Sequence, residues 1–311
     1  MGLIAARGET QSLKDNNELR LMIFWYGYSG WHSPSIVANN NIDPGPRVDV
    51  AICLLFNTSP RYSPPLDLTP AMFHTDPSKG LPIPLSRILA AAEAEEVVGV
   101  QFQTHIIPVC VAGLSQVAIT IESELAARGN ALWNDEIFLG LRINPLAHCL
   151  FDDRAGRTTG LSVSSHLDQT LESIRLGVIV WIIWVKRMCR SWPGSPMAYV
   201  PELLGMLSAD ESSWAANMNT ASGGGVSDDH DDDDMLSVRL WLSVLCGIAS
   251  CHGSHERRLA VSLIAQDMHR LNRHAEWSEV MMRVRQMPWI SSFETPLAQV
   301  KSHVDQLLHV S

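Results

Sequence analysis

No domain of this chain is strongly positive: it has 23 Lys and Arg in 311 residues against 33 Asp and Glu, for a net charge of −10. A domain that grips nucleic acid needs a basic face to displace counterions, so no direct nucleic-acid partner is expected. Charge of either sign is sparse, at 18% of residues, while 46% are hydrophobic; that excludes a mostly disordered chain. The most apolar stretch, Leu176-Gly-Val-Ile-Val-Trp-Ile-Ile-Trp-Val185, has ten residues, well short of the roughly 20 that a helix needs to cross a bilayer. No membrane partner is expected from it. Clustered cysteine is missing too. Cys53, Cys110, Cys149, Cys189, Cys246 and Cys251 are far apart, several inside apolar runs where a free thiol acts as a small core residue. The amino terminus, Met1-Gly-Leu-Ile-Ala-Ala-Arg-Gly-Glu, has too short an apolar patch for a secretory signal. The chain also lacks a phosphate-binding glycine loop, a Gly-x-Ser-x-Gly elbow and a His-Glu-x-x-His helix.

What is present has helical period. Leu176–Val185, flanked by Arg175 and Lys186, reads as a helix buried on all sides, with caps among Ser164, Ser165 and Asp168. Asp15 to Tyr28 reads as a short apolar helix behind an Asp-Asn-Asn cap. Amphipathic spacing then predicts helices from Leu85, over 111–128 ending at Gly129, over 134–144 ending before Pro145, over 236–250, 256–272 and 278–287, and from Pro296 onward. Two stretches interrupt the pattern. Residues 33–84 are rich in Pro, as in Asp43-Pro-Gly-Pro and Ser63-Pro-Pro, and read as irregular, except that either helix or strand fits 48–56. Residues 219–235 read as a disordered acidic Gly/Asp loop that carries Asp228, Asp229 and Asp231 to Asp234, six of the net negative charges. Helices without strand–helix alternation predict an all-α fold, a single large irregular helical domain over 1–311.

Candidate chemistry is thin. Cys246-x4-Cys251-His252-x2-His255 offers zinc-type donors, but its spacing matches no specific zinc pattern and it falls between two helices, so a helix junction is the better reading. The Asp228–Asp234 run lacks the alternating donors, central Gly and closing Glu of a calcium loop. Asp152 and Asp153 beside Arg154 read as a solvated turn, His148-Cys149 lacks a partner, and Trp181, Trp184, Trp192, Trp277 and Trp289 read as core. No catalytic, cofactor-binding or metal residue is assigned, and no cofactor is expected.

Three features in order carry a resemblance. They are Leu21-Met-Ile-Phe-Trp-Tyr26; the run from Glu172 to Trp181 with the basic Lys186-Arg187-Met-Cys-Arg190 after it; and Arg239-Leu-Trp-Leu-Ser-Val-Leu-Cys-Gly-Ile-Ala249, followed by Glu256-Arg-Arg258 and Met287-Pro-Trp-Ile290. This order is similar to the helical regulatory region of fungal-specific transcription factors, which lies downstream of a binuclear zinc-cluster DNA-binding domain. The six-cysteine cluster and basic linker of that domain are not in this sequence, as in a regulatory domain expressed alone, a truncated gene product or a diverged relative. The resemblance implies a non-enzymatic transcription-regulatory domain in the nucleus, or otherwise the cytoplasm. Its partners would be proteins of the transcription machinery or a full-length regulator, with a small-molecule effector possible. The alternatives from other classes are a metal-dependent enzyme built on the scattered His, Cys and Asp residues, and an inert helical scaffold.

Overall fold

The computed structural model describes residues 45–60, 80–95, 106–152, 166–189, 195–209, 229–271 and 276–310. Among them the fold is all-α, with ten helices and no strand. In chain order these are α1 Gly45–Phe56, α2 Ile83–Glu95, α3 Ile106–Arg128, α4 Glu136–Phe151, α5 His166–Met188, α6 Val200–Ala209, α7 Asp229–Ala249, α8 His255–Leu271, α9 Trp277–Val284 and α10 Glu294–Val310. Short 3₁₀ turns at Gly129–Asn134, Pro196–Ala198 and Ser291–Phe293 link neighbouring helices. The helix expected near Asp15 to Tyr28 and the first piece of the resemblance lie outside the described residues.

Helix α7 is the axis of the packing. Every residue from 236 to 250 is buried, and α2, α5, α8, α9 and α10 all lie against it. A helix that is apolar around its whole circumference gains nothing by facing water, and the chain surrounds it. Helix α5 is enclosed in the same way over 173–183. The two approach closely at Gly177, where a Cβ would overlap Leu242 and touch Trp241 at 3.4 Å. On the opposite side Gly247 admits Val300 of α10, whose Cγ1 would lie 3.1 Å from an added Cβ. Trp181 stands edge-on to Phe293 with ring centroids 5.8 Å apart, and the Trp241 indole N–H donates to the Pro288 carbonyl at 3.1 Å. Buried side chains from α1 to α10 form one continuous apolar cluster.

Helix boundaries follow local chemistry. Gly129, at φ 55°, ends α3 in the left-handed conformation that glycine adopts without strain. Asp135 caps α4, accepting from the Phe138 N–H at 3.0 Å, and a 2.8 Å bond from Arg128 holds its carboxyl below the ordinary range. Ser254 caps α8, its hydroxyl accepting from the Arg257 N–H at 3.1 Å. The Tyr199 hydroxyl, 2.9 Å from the Leu54 carbonyl and 3.2 Å from that of Cys53, ties α1 to the start of α6. Burial pushes that hydroxyl up to about 12.

Two expectations from the sequence are corrected, and one left open is decided. Within the Pro-rich stretch 33–84, the piece 48–56 that fitted either helix or strand is helix: α1 occupies Gly45–Phe56, with Val50, Cys53 and Leu54 buried. Pro46 falls in the first turn, where its missing N–H would have no intrahelical partner. The helix expected to stop before Pro145 runs through it to Phe151. An interior proline costs roughly 3 kcal/mol, but Leu146, Ala147, Leu150 and Phe151 beyond it are all buried, and Lys186 donates to the Asn144 amide oxygen at 2.6 Å. The acidic stretch 219–235 is helical from Asp229 on, so the Asp run is the first two turns of α7 and not a loop. Acids suit a helix N-terminus, and two arginines reach this one: Arg283 lies 3.1 Å from Asp233, and Arg87 lies 3.5 Å from the buried Asp234. Residues 219–228 lie outside the described residues.

The segment Ile106–Asn134 is long and apolar enough by length and composition to cross a membrane, and 50% of its most apolar window is buried inside the protein. It packs on α4 and α5, and the core helix of a globular protein passes the same test.

The α5–α7 contact yields a prediction. Gly177→Val should destabilise the fold by about 1–3 kcal/mol through overpacking. Gly205→Ala, at an exposed α6 position where a Cβ meets nothing within 4 Å, should stabilise it by about 0.5–1 kcal/mol. Urea denaturation of both variants checks the pair.

Candidate functional site

Two places in the described residues hold polar chemistry inside the apolar frame. The first is a seam where α5, α6, α7 and α8 converge. Arg239 interrupts the apolar run of α7 and is 3% exposed; Asp267 sits on the inward stripe of α8 at 0%. The Arg239 Nε–H lies between both Asp267 carboxylate oxygens, at 2.9 and 3.0 Å, and Nη1 donates to the Leu207 carbonyl at 2.7 Å. Arg270 adds a second cation to the same carboxylate at 3.1 Å. Arg239 Nη2 is enclosed without a protein acceptor. Beside it a cleft of about 20 Å³ is lined by Thr170, Ser173, Leu207, Met235, Val238, Arg239 and Leu242. That volume admits one or two waters, which would satisfy Nη2, and is far too small for a metabolite.

The second place is the turn between α7 and α8, which carries the donors singled out in the sequence. The structure separates them. Cys246 is buried inside α7, and burial pushes its thiol well up; Cys251, His252 and His255 are exposed. His252 instead meets His303 of α10, ring centroids 4.9 Å apart. Arg257, third residue of α8, is 4% exposed, and its charge acts on His303. Desolvation together with the positive charges of His252 and Arg257 lowers the His303 pKa. Among the described residues no group of three or more His, Cys, Asp or Glu side chains is arranged to hold a metal.

The remaining candidates fall into structural places. Asp152 ends α4, its N–H bonded to the Cys149 carbonyl at 3.4 Å, while Asp153 and Arg154 lie outside the described residues. His148 and Cys149 are buried in α4, and Cys149 is pushed up to about 12 by desolvation. Trp181 is core, Trp184, Trp277 and Trp289 are half-buried, and Trp192 lies outside the described residues. All six cysteines are free, with Cys251 the exposed one. Sequence reasoning missed the Arg239–Asp267 pair, Arg257 and His303. The first left a signal, since each residue is a charge set into an otherwise apolar helical stripe. The His252–His303 contact left none, because 50 residues separate its members.

No family model, curated protein or solved structure matches this chain.

Two outcomes follow from this geometry. Asp267→Ala strands the buried Arg239 charge and should cost about 3–5 kcal/mol, whereas Arg239→Met combined with Asp267→Leu should cost far less; chemical denaturation compares them. A thiol-specific chromogenic reagent at pH 8 should titrate Cys251 rapidly. It should reach Cys189, pushed up to about 11, more slowly, and the buried cysteines only on unfolding. Cys251→Ser should remove the rapid phase.

Proposed function

We propose that this chain is a helical transcription-regulatory domain of the kind its sequence resembles, the regulatory region of fungal-specific transcription factors. It acts through contacts with partner proteins or a small effector, and these residues do not themselves bind DNA. The observation that carries the reading is that its later ordered pieces meet in one place. The run Glu172 to Trp181 lies in α5, Arg239 to Ala249 in α7, and Met287 to Ile290 before α10; they join through Gly177 against Leu242, Trp181 against Phe293 and Trp241 bonded to Pro288. Generic apolar helices can be arranged in many ways. Here three of the described features that carry the resemblance share a core, as a common regulatory fold would need them to do.

The charge distribution supports the second half of the reading. A net charge of −10, with acids leading α7 and Arg87, Arg239 and Arg283 paired with carboxylates of the same fold, is unfavourable for gripping a phosphate backbone. Fused to an unrelated DNA-binding domain upstream of a reporter, the full chain should change reporter output several-fold relative to that domain alone. The chain by itself should not retard duplex DNA in a gel at about 150 mM salt. An unchanged reporter would overturn the regulatory reading, and tight duplex binding would overturn the second part.

A further inference from the structure

Three arginines are buried in the described residues, and they are not treated alike. Arg175 is held by Glu172 through two bonds of 2.8 and 2.7 Å. Arg239 is held by Asp267. Arg257 has no carboxylate: its Nε and Nη1 are enclosed without an acceptor while the residue is 4% exposed. A buried, unpaired guanidinium costs several kcal/mol in ordinary folding, and here a second penalty is added. Arg257 occupies the third position of the 17-residue α8, where the positive end of the helix dipole opposes a cation.

Imidazoles and a second arginine surround it. His252 and His303 stack beside this corner, His255 opens the helix and Arg258 follows Arg257. One acid, Glu256, is nearby, but its carboxylate is turned onto its own N–H and the Ser254 hydroxyl, which hold it below the ordinary range. The Cys251 side chain also lies near Arg257. Both the solvation deficit and the dipole deficit would be removed by one thing, an anion.

We propose that Arg257, with the His252–His303 pair at the N-terminal end of α8, forms a binding site for a small phosphate-class oxyanion, free or as a phosphomonoester. The edge of the guanidinium formed by Nε and Nη2 carries two parallel N–H donors in the geometry that an oxyanion accepts, and the imidazoles supply further donors that strengthen on protonation. The Arg257 main-chain N–H is already committed to Ser254, so recognition is by side chains. The ligand arrives from the solvent side of the exposed turn Cys251–His252–Gly253. This site does not depend on the transcription-regulatory reading, because it rests on the charge balance of one corner of the fold.

The test is thermal unfolding of the full chain at pH 6.5 in sodium phosphate against sodium chloride of equal ionic strength, with phenyl phosphate as a parallel arm. Phosphate should raise Tm by a few degrees, saturating with concentration, as expected of a ligand that binds only the folded state. A larger rise with phenyl phosphate would identify an ester ligand, and an equal rise free phosphate. Arg257→Met should lose the response and, freed of a stranded charge, should be at least as stable as the parent chain in chloride. The double variant His252→Asn with His303→Asn should weaken the apparent affinity about tenfold, by the loss of charge-assisted donors. The proposal is overturned if the parent chain responds to phosphate and phenyl phosphate no more than to chloride, or if Arg257→Met responds as the parent does. Should Arg257→Met fail to fold, an undiminished response in the double histidine variant overturns it equally.

Discussion

Helix α7 has no solvent face between Leu236 and Ser250, and that enclosure sets the conditions the rest of the fold meets. A helix surrounded on all sides needs at least one neighbour for each face, and α2, α5, α8, α9 and α10 supply them. Close approach then needs small residues at the crossings, which is why Gly177 and Gly247 lie where Leu242 and Val300 press in. Polar atoms trapped in the same volume must find partners. The Trp241 indole finds Pro288, the Ser250 hydroxyl finds the Cys246 carbonyl at 2.7 Å, and the Arg239 guanidinium finds Asp267 and Leu207.

Charge is handled by position. At the acidic end of α7 Asp233 is exposed, acids suit the helix dipole there, and Arg87 and Arg283 fasten α2 and α9 to it. Deeper in, a single carboxylate, Asp267, balances Arg239 and is shared with Arg270. Replacing such a pair by apolar residues often loses little, whereas breaking it loses much, so the seam fixes how α6, α7 and α8 sit together more than it adds to stability. Arg257 is the exception that this scheme exposes, a buried charge with which no carboxylate among the described residues pairs.

The acidic run shows how a local reading goes wrong. Seven residues of Asp and His after a Gly-rich stretch have poor helix propensity, and composition alone reads them as solvated loop. What reverses it is distant: arginines 147 residues earlier and 50 residues later arrive at Asp234 and Asp233. Pro145 failed as a stop for a similar reason, since the burial of Leu146 to Phe151 outweighs one lost hydrogen bond. In both cases contacts with residues far along the chain override local preferences of about one to three kcal/mol.

Periodicity and composition were enough to establish that the chain is helical, that Leu176–Val185 and the stretch after Leu236 are core, and that Gly129 and the segment before His255 are helix boundaries, because hydrophobic period and capping are written locally. The sequence also placed several cysteines in apolar runs, and four of the six are buried. It could not say that Cys246 and Cys251 point to different environments one turn apart, that His252 meets His303, or that Arg239 pairs with Asp267 while Arg257 pairs with no carboxylate. Those facts depend on which faces of separate helices are brought together. Only the packing around α7 decides that, since the free energy of burying a charge or matching a donor is set by neighbours that lie far away along the chain.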